Sequence, residues 1–129
     1  LKLVLRYAPF HKGADYYVKI LEASRKQGKY SQTIEMLYSS QNYWASHHEA
    51  KPDLAWEVLK YTTLDLEQLK KDMEHSDIAA ILKQDSEDAA ILHVTKTPSF
   101  FVNRKPLLSF GVSQLQDLVE TEIKVQYPN

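Results

Sequence analysis

Thr97-Pro98-Ser99-Phe100-Phe101-Val102-Asn103 decides how this chain is read, because it closes a long helical pattern and opens a short apolar strand with a proline. Proline has no N–H to give a sheet ladder, and an X-Pro bond is the one peptide bond that becomes cis at modest cost. The residues alone leave two states open: a cis-proline loop, or an ordinary trans proline opening an edge strand. Leu107 to Phe110 reads as a second strand, joined to Phe100–Asn103 through Asn103-Arg104-Lys105-Pro106 as an antiparallel hairpin. A tight primed turn needs positive φ at both central residues, at a cost on the order of 1 kcal/mol for a residue with a side chain, so a looser turn is expected here. Gly111 ends the second strand. Ser113 with Gln116 reads as a capping box for a last helix whose stripe is Leu115, Leu118, Val119 and Ile123.

Upstream, Leu3, Val4, Leu5 and Tyr7 form an apolar run stopped by Pro9, which predicts a mostly buried strand. After Gly13, Ala14, Tyr17, Val18 and Leu21 recur at helical spacing, and Gly28 closes that helix. Ile34, Leu37, Tyr38 and Gln41 carry a second helix toward Trp44; Pro52-Asp53 opens a third with Leu54, Val58 and Leu59. Asp65 with Gln68 predicts a capping box for a fourth, with Leu66, Leu69 and Met73 inward. A fifth starts near Ser76 and places Ile78, Ile81, Leu82, Ala89 and Leu92 on one side. No strand signal, repeat or low-complexity linker interrupts this stretch, which therefore reads as a helical subdomain over residues 29–93.

With 129 residues, 43% of them hydrophobic, the chain is long enough for a core of its own. Its 16 basic and 17 acidic residues nearly cancel, so no global field selects nucleic acid or an anionic membrane surface. No apolar run approaches the roughly 20 residues of a membrane span. Leu1-Lys2-Leu3-Val4-Leu5-Arg6 lacks the layout of a signal peptide. The chain opens without an initiator methionine, which is read as a processed chain or an excised piece. It contains no cysteine, so it holds neither a disulfide nor a thiolate metal site.

Two segments together carry a family resemblance. Lys2-Leu3-Val4-Leu5-Arg6-Tyr7-Ala8-Pro9-Phe10 is similar to the strand after the active-site helix of DsbA-like thiol-disulfide oxidoreductases in the thioredoxin superfamily. Val94-Thr95-Lys96-Thr97-Pro98-Ser99-Phe100-Phe101-Val102-Asn103 resembles that family's cis-proline loop and following strand. The resemblance covers essentially the whole chain. It implies an α/β class: a partial thioredoxin-like fold ordered β-α, helical insertion, β-β-α, without the first strand and active-site helix. Residues 1–28 and 94–129 would be the thioredoxin-like portion and 29–93 the insertion. It also implies that the absent strand belongs between Leu3–Tyr7 and Phe100–Val102, which would leave two open edges and make self-association an expectation.

The same resemblance implies a site. Thr97 would offer backbone and hydroxyl to an added peptide strand, and Pro98 would hold the loop shape and keep metal ions from the thiols. Lys96 stands where relatives often carry glycine and would change the charge beside the loop; a solvated loop lysine is the plainer reading. Arg104 stands where an Asn-Gly turn is common. Tyr43 and Trp44, ahead of a loop, are the candidates for a substrate-groove wall among the aromatics of the helical part, with core packing as the alternative. Adjacent Phe100 and Phe101 point to opposite faces, where each is expected to be core. The implied substrates are unfolded or cysteine-containing proteins, in a bacterial periplasm or envelope, with cytoplasmic members also known.

The family's thiolate comes from a Cys-x-x-Cys at a helix N-terminus, so this chain is expected to be inactive alone and to be the later portion of a disulfide oxidoreductase. The alternatives are a redox-inactive peptide- or partner-binding module, or a glutathione-dependent isomerase or transferase of the same fold. No cofactor is called for. His47-His48-Glu49 lacks the i, i+4 spacing that brings two imidazoles to one metal, and His11, His75 and His93 are isolated. Asp85, Glu87 and Asp88, like Lys70-Lys71, read as solvated helix faces. No glycine-rich phosphate loop or Gly-x-Ser-x-Gly elbow occurs.

Overall fold

The computed structural model describes residues 1–46 and 49–128, so the His47-His48 pair lies outside the described residues. Two compact units emerge, Leu1–Ala90 and Ile91–Asn129.

In the first unit, Gly13 takes the left-handed φ of 80° that glycine accepts freely, and α1 runs from it over Ala14–Lys26. Gly28, at φ 69°, closes this helix: its N–H bonds Arg25 O at 2.9 Å, and Lys29 N–H bonds Ser24 O at 3.0 Å. α2 (Tyr30–Ser39) and the single turn α3 (Gln41–Trp44) follow. α4 (Pro52–Leu59) starts with its proline in the first turn, where a missing N–H costs nothing. α5 (Leu66–Met73) is capped as expected, the Asp65 carboxylate accepting the Gln68 N–H at 3.0 Å. α6 (Ser76–Ile91) ends the unit. Tyr17, Ile20 and Ala23 of α1, Leu37 of α2, Leu59 of α4, Leu69 and Met73 of α5, and Ile78 of α6 form one buried cluster. Buried Ser24 and Thr33 are satisfied on the preceding turn, donating to Leu21 O and Lys29 O.

Several expectations are corrected here. Residues 1–10 contain neither helix nor strand, because a strand exists only with a ladder partner and none is present among the described residues. Leu3, Val4 and Leu5, expected to be buried, are 80%, 59% and 55% exposed. A two-stranded ladder stands within the stretch expected to be wholly helical: β1 (Ala45–Ser46) pairs antiparallel with β2 (Glu49–Ala50), Ala45 opposite Ala50. Tyr38 is exposed, since α2 turns Thr33 and Leu37 inward and places the neighbouring residue roughly 100° away. Leu92 is exposed too, beyond the last turn of α6.

The second unit is a hairpin and a helix. β3 (Phe101–Val102) pairs with β4 (Lys105–Pro106), and Leu107 N–H to Phe100 O at 2.8 Å adds one more rung. The expected looser connection is not found. Asn103 and Arg104 form a two-residue turn with φ of 49° and 70°, both left-handed. Asparagine tolerates this conformation, and the turn is tied down from below: Lys105 and Asn103 both donate to Glu122, buried on α7 (Val112–Gln126). The Lys105 ammonium first, and the Asn103 amide second, hold the Glu122 carboxyl below its ordinary range. Replacing Arg104 by glycine removes the steric cost of a side chain at positive φ and is expected to stabilise this unit by up to about 1 kcal/mol. Thermal unfolding checks it; an Arg104→Gly chain that melts at or below the parent would mean that the arginine is not strained there.

The second capping expectation also fails. α7 begins at Val112 with Gly111 as its cap, so Ser113 lies inside the helix and makes no capping bond. A Cβ at Gly111 would sit 1.9 Å from Gln114 Oε1, so the Gln114 side chain fills the space that Gly111 leaves.

Candidate functional site

The loop Lys96–Ser99 connects the end of α6 to β3, and all four residues are exposed. Its Thr97-Pro98 peptide is cis. Ser99 Oγ donates to Lys96 O at 2.7 Å, bracing the loop across its own span. Thr97 has no backbone hydrogen-bond partner among the described residues. Thr97 is exposed and lies just ahead of a strand whose backbone is already in a ladder. Such a segment can accept one further extended chain. Phe100 and Phe101 are half-buried, less enclosed than expected of core residues; Phe100 packs near Phe110, ring centroids 6.0 Å apart.

Lys96, Thr97 and Pro98 thus share one exposed loop of the second unit. Tyr43 and Trp44 lie on α3 of the first and differ from each other. Tyr43 is 56% exposed. Trp44 is buried, stacks on Tyr17 with centroids 4.4 Å apart, and donates its indole N–H to Leu37 O at 2.9 Å. It forms one wall of an apolar groove of about 140 Å³, lined also by Tyr17, Leu21, Ile34, Leu37, Tyr38 and Gln41. The Tyr17 hydroxyl is buried without a partner among the described residues, and desolvation, aided by neighbouring Tyr16, pushes it up to about 12.

Sequence periodicity missed a polar cluster on the first unit. Tyr7 donates its hydroxyl to Glu22 at 2.6 Å and lies 2.9 Å from the Tyr30 hydroxyl. Arg25 holds the same buried carboxylate and lies over the Tyr30 ring, 3.8 Å from its centroid. Burial, with the bonds to Glu22 and Tyr30, raises the Tyr7 hydroxyl far above the ordinary tyrosine range. A second set forms where Arg6 meets Asp85 and Asp88 of α6, and Asp85 also accepts the Tyr7 backbone N–H at 2.8 Å. Asp85 departs from the expected solvated face and is buried by this pairing. A buried Glu in a helical stripe is the one signal that would have pointed to the first cluster.

Among the described residues no three metal-ligating side chains converge, and no helix is long and apolar enough to cross a membrane. The chain's lack of cysteine leaves the loop without a thiol from its own sequence.

Comparisons with known proteins agree with this architecture. A family model described as Thioredoxin matches residues 1–121. Among solved structures, a thioredoxin-like oxidoreductase from Silicibacter pomeroyi DSS-3 is similar, with a TM-score of 0.75 and 29% sequence identity. The match covers 92% of this chain and 66% of that one, so the chain spans just under two thirds of that protein's length. A search of the curated proteins found no match.

Proposed function

This chain belongs to the thioredoxin family, and from that premise we propose that it is the peptide-binding portion of a DsbA-like protein disulfide oxidoreductase. The observation that carries the reading is the exposed Lys96–Ser99 loop, whose Thr97 backbone has no hydrogen-bond partner among the described residues, in a chain matched over most of its length by a thioredoxin-like oxidoreductase. In this reading an extended substrate lies along the loop and pairs with the Thr97 N–H and C=O as an added strand. Lys96 sets the charge at the edge of that site. Pro98 shapes the loop and keeps metal ions away from the thiols, and Tyr43 and Trp44 are substrate contacts of the helical part.

The reacting thiols are not this chain's. Exchange requires a thiolate to attack a disulfide sulfur, and the 129 residues include no cysteine. The reading therefore places the Cys-x-x-Cys in a segment preceding Leu1, and by family analogy places the protein in a bacterial envelope. The exposed Leu3, Val4 and Leu5 support the companion expectation that the isolated chain associates with copies of itself. The missing cysteine also favours a second reading, a redox-inactive module that uses the same loop only to bind.

Titrating the chain with an extended, unstructured peptide while following backbone amide resonances tests the shared part of both. Shifts are expected to concentrate at residues 95–99 and β3. Shifts confined to the helical unit would overturn the loop as the binding site.

A further inference from the structure

The second unit separates its charges. From Ile91 to Gln116, the stretch that supplies the Lys96–Ser99 loop and the β3–β4 hairpin, the chain has no aspartate or glutamate, yet it carries Lys96, Arg104 and Lys105. The unit's acidic side chains, Asp117, Glu120 and Glu122, all lie on α7. This is uneven in a chain whose 16 basic and 17 acidic residues nearly cancel. Lys105 is neutralised by buried Glu122, but Lys96 and Arg104 are exposed and enter no ion pair among the described residues. Lys96 is the one charged residue of the loop itself. Its carbonyl accepts the Ser99 hydroxyl at 2.7 Å, which holds its backbone beside Thr97.

Resting on the reading of this loop as the peptide site, we propose that it selects extended segments with a carboxylate next to the residue paired with Thr97, and that Lys96 is the specificity-determining residue. A chain laid against Thr97 passes beside Lys96, and the flexible lysine stem can carry its ammonium to a side chain on a flanking residue. An aspartate or glutamate there gains an opposite charge across the pairing, whereas a lysine or arginine meets a like one. No acidic side chain of the loop or the hairpin competes for the ammonium. Thr97 and Ser99, the loop's other polar side chains, are neutral and do not tell an acid from a base. Arg104 at the hairpin turn adds charge of the same sign, so the field of this stretch favours the approach of an acidic segment before contact is made.

Three extended peptides without cysteine, identical except for Glu, Gln or Lys at both positions flanking the central residue, are titrated into the full chain while backbone amide resonances are followed. At low ionic strength the Glu peptide is expected to bind at residues 95–99 about 3- to 10-fold more tightly than the Lys peptide, with the Gln peptide between them. In about 1 M salt, where the Debye length is about 3 Å, the spread should close. Lys96→Glu is expected to reverse the order, while Lys124→Glu, the same change of charge on α7, keeps it. Shifts at residues 95–99 with equal affinity for the Glu and Lys peptides, or an order that survives Lys96→Glu, would overturn the acidic preference and leave the loop as the binding site. A reversal in Lys124→Glu as well would overturn Lys96 as the discriminating residue. No shift at residues 95–99 with any of the three would instead remove the loop as a peptide site, and this proposal with it.

Discussion

Leu69→Ala is expected to lower the unfolding free energy of the helical unit by about 2–5 kcal/mol, the loss expected when a fully enclosed leucine is truncated. Leu69 is 0% exposed and sits where α5 lies on α1, in the cluster that also contains Ile20 and Met73. The cost has two parts: the transfer free energy of the deleted carbons, and the cavity left between two helices whose backbones are fixed by their other contacts. In a domain of this size each 1 kcal/mol moves the midpoint by about 4–8 °C, so the melting temperature should fall by about 10 °C or more. Leu108→Ala is the control, since Leu108 is 92% exposed and its truncation should stay within about 0.5 kcal/mol. Urea denaturation measures both. A Leu69→Ala loss as small as the control's would mean that the α1–α5 seam is not part of the cooperative core.

That seam was legible from residue order alone. Tyr17 and Val18 in α1, and Leu69 and Met73 in α5, recur at the spacing that makes one face apolar, and the structure buries all four. The punctuation was legible for the same local reason: Gly28 and Pro52 act through backbone geometry and Asp65 through a bond three residues away, so no knowledge of the tertiary fold is needed to place them. The failures are those of long-range or marginal effects. Whether Leu3–Tyr7 forms a strand depends on a ladder partner distant in sequence, which the hydropathy of the run does not supply. The β1–β2 ladder is only two residues long on each side and contains no β-branched or aromatic residue to announce it. At Asn103-Arg104 the local steric cost is only part of the balance. The ties from Asn103 and Lys105 to Glu122 span 19 and 17 positions, and they offset the cost of the tight turn.

The candidate site divides in the same way. Lys96–Ser99 could be placed because a proline between a helical pattern and an apolar run marks a loop wherever the rest of the chain goes. Trp44 was harder, since aromatic enrichment does not distinguish a core ring from a groove wall. The structure buries it, stacked on Tyr17 at the edge of a small apolar groove. The Tyr7, Glu22 and Tyr30 cluster joins three segments of different periodicity through polar atoms, and hydrophobic patterning carries no information about such contacts.

Insulin disulfides are expected to be reduced by this chain no faster than by the buffer thiol alone and, if the proposed function holds, faster by a longer product of the same gene with a Cys-x-x-Cys ahead of Leu1. The first half follows from chemistry: without cysteine there is no thiolate to form the mixed disulfide, whatever the Lys96–Ser99 loop binds. The second half follows from placing a thiol at a helix N-terminus, where exposed N–H groups and the helix dipole favour the anion. An ordinary thiol of pKa about 8.5 is only a few per cent ionised at pH 7, whereas one lowered below 7 is mostly thiolate. The reactive fraction then rises more than 10-fold. Intrinsic nucleophilicity falls with pKa, with a Brønsted coefficient of about 0.4–0.5, and takes back part of that gain. In the proposed reading, alignment of the substrate on the Thr97 backbone would restore it by holding the disulfide against the attacking sulfur. A net acceleration of about 10-fold over an equal concentration of free thiol is therefore expected for the longer product. Reduction by the 129-residue chain itself would sink the proposed division of labour. An inactive longer product with an intact Cys-x-x-Cys would instead favour the reading in which this fold only binds.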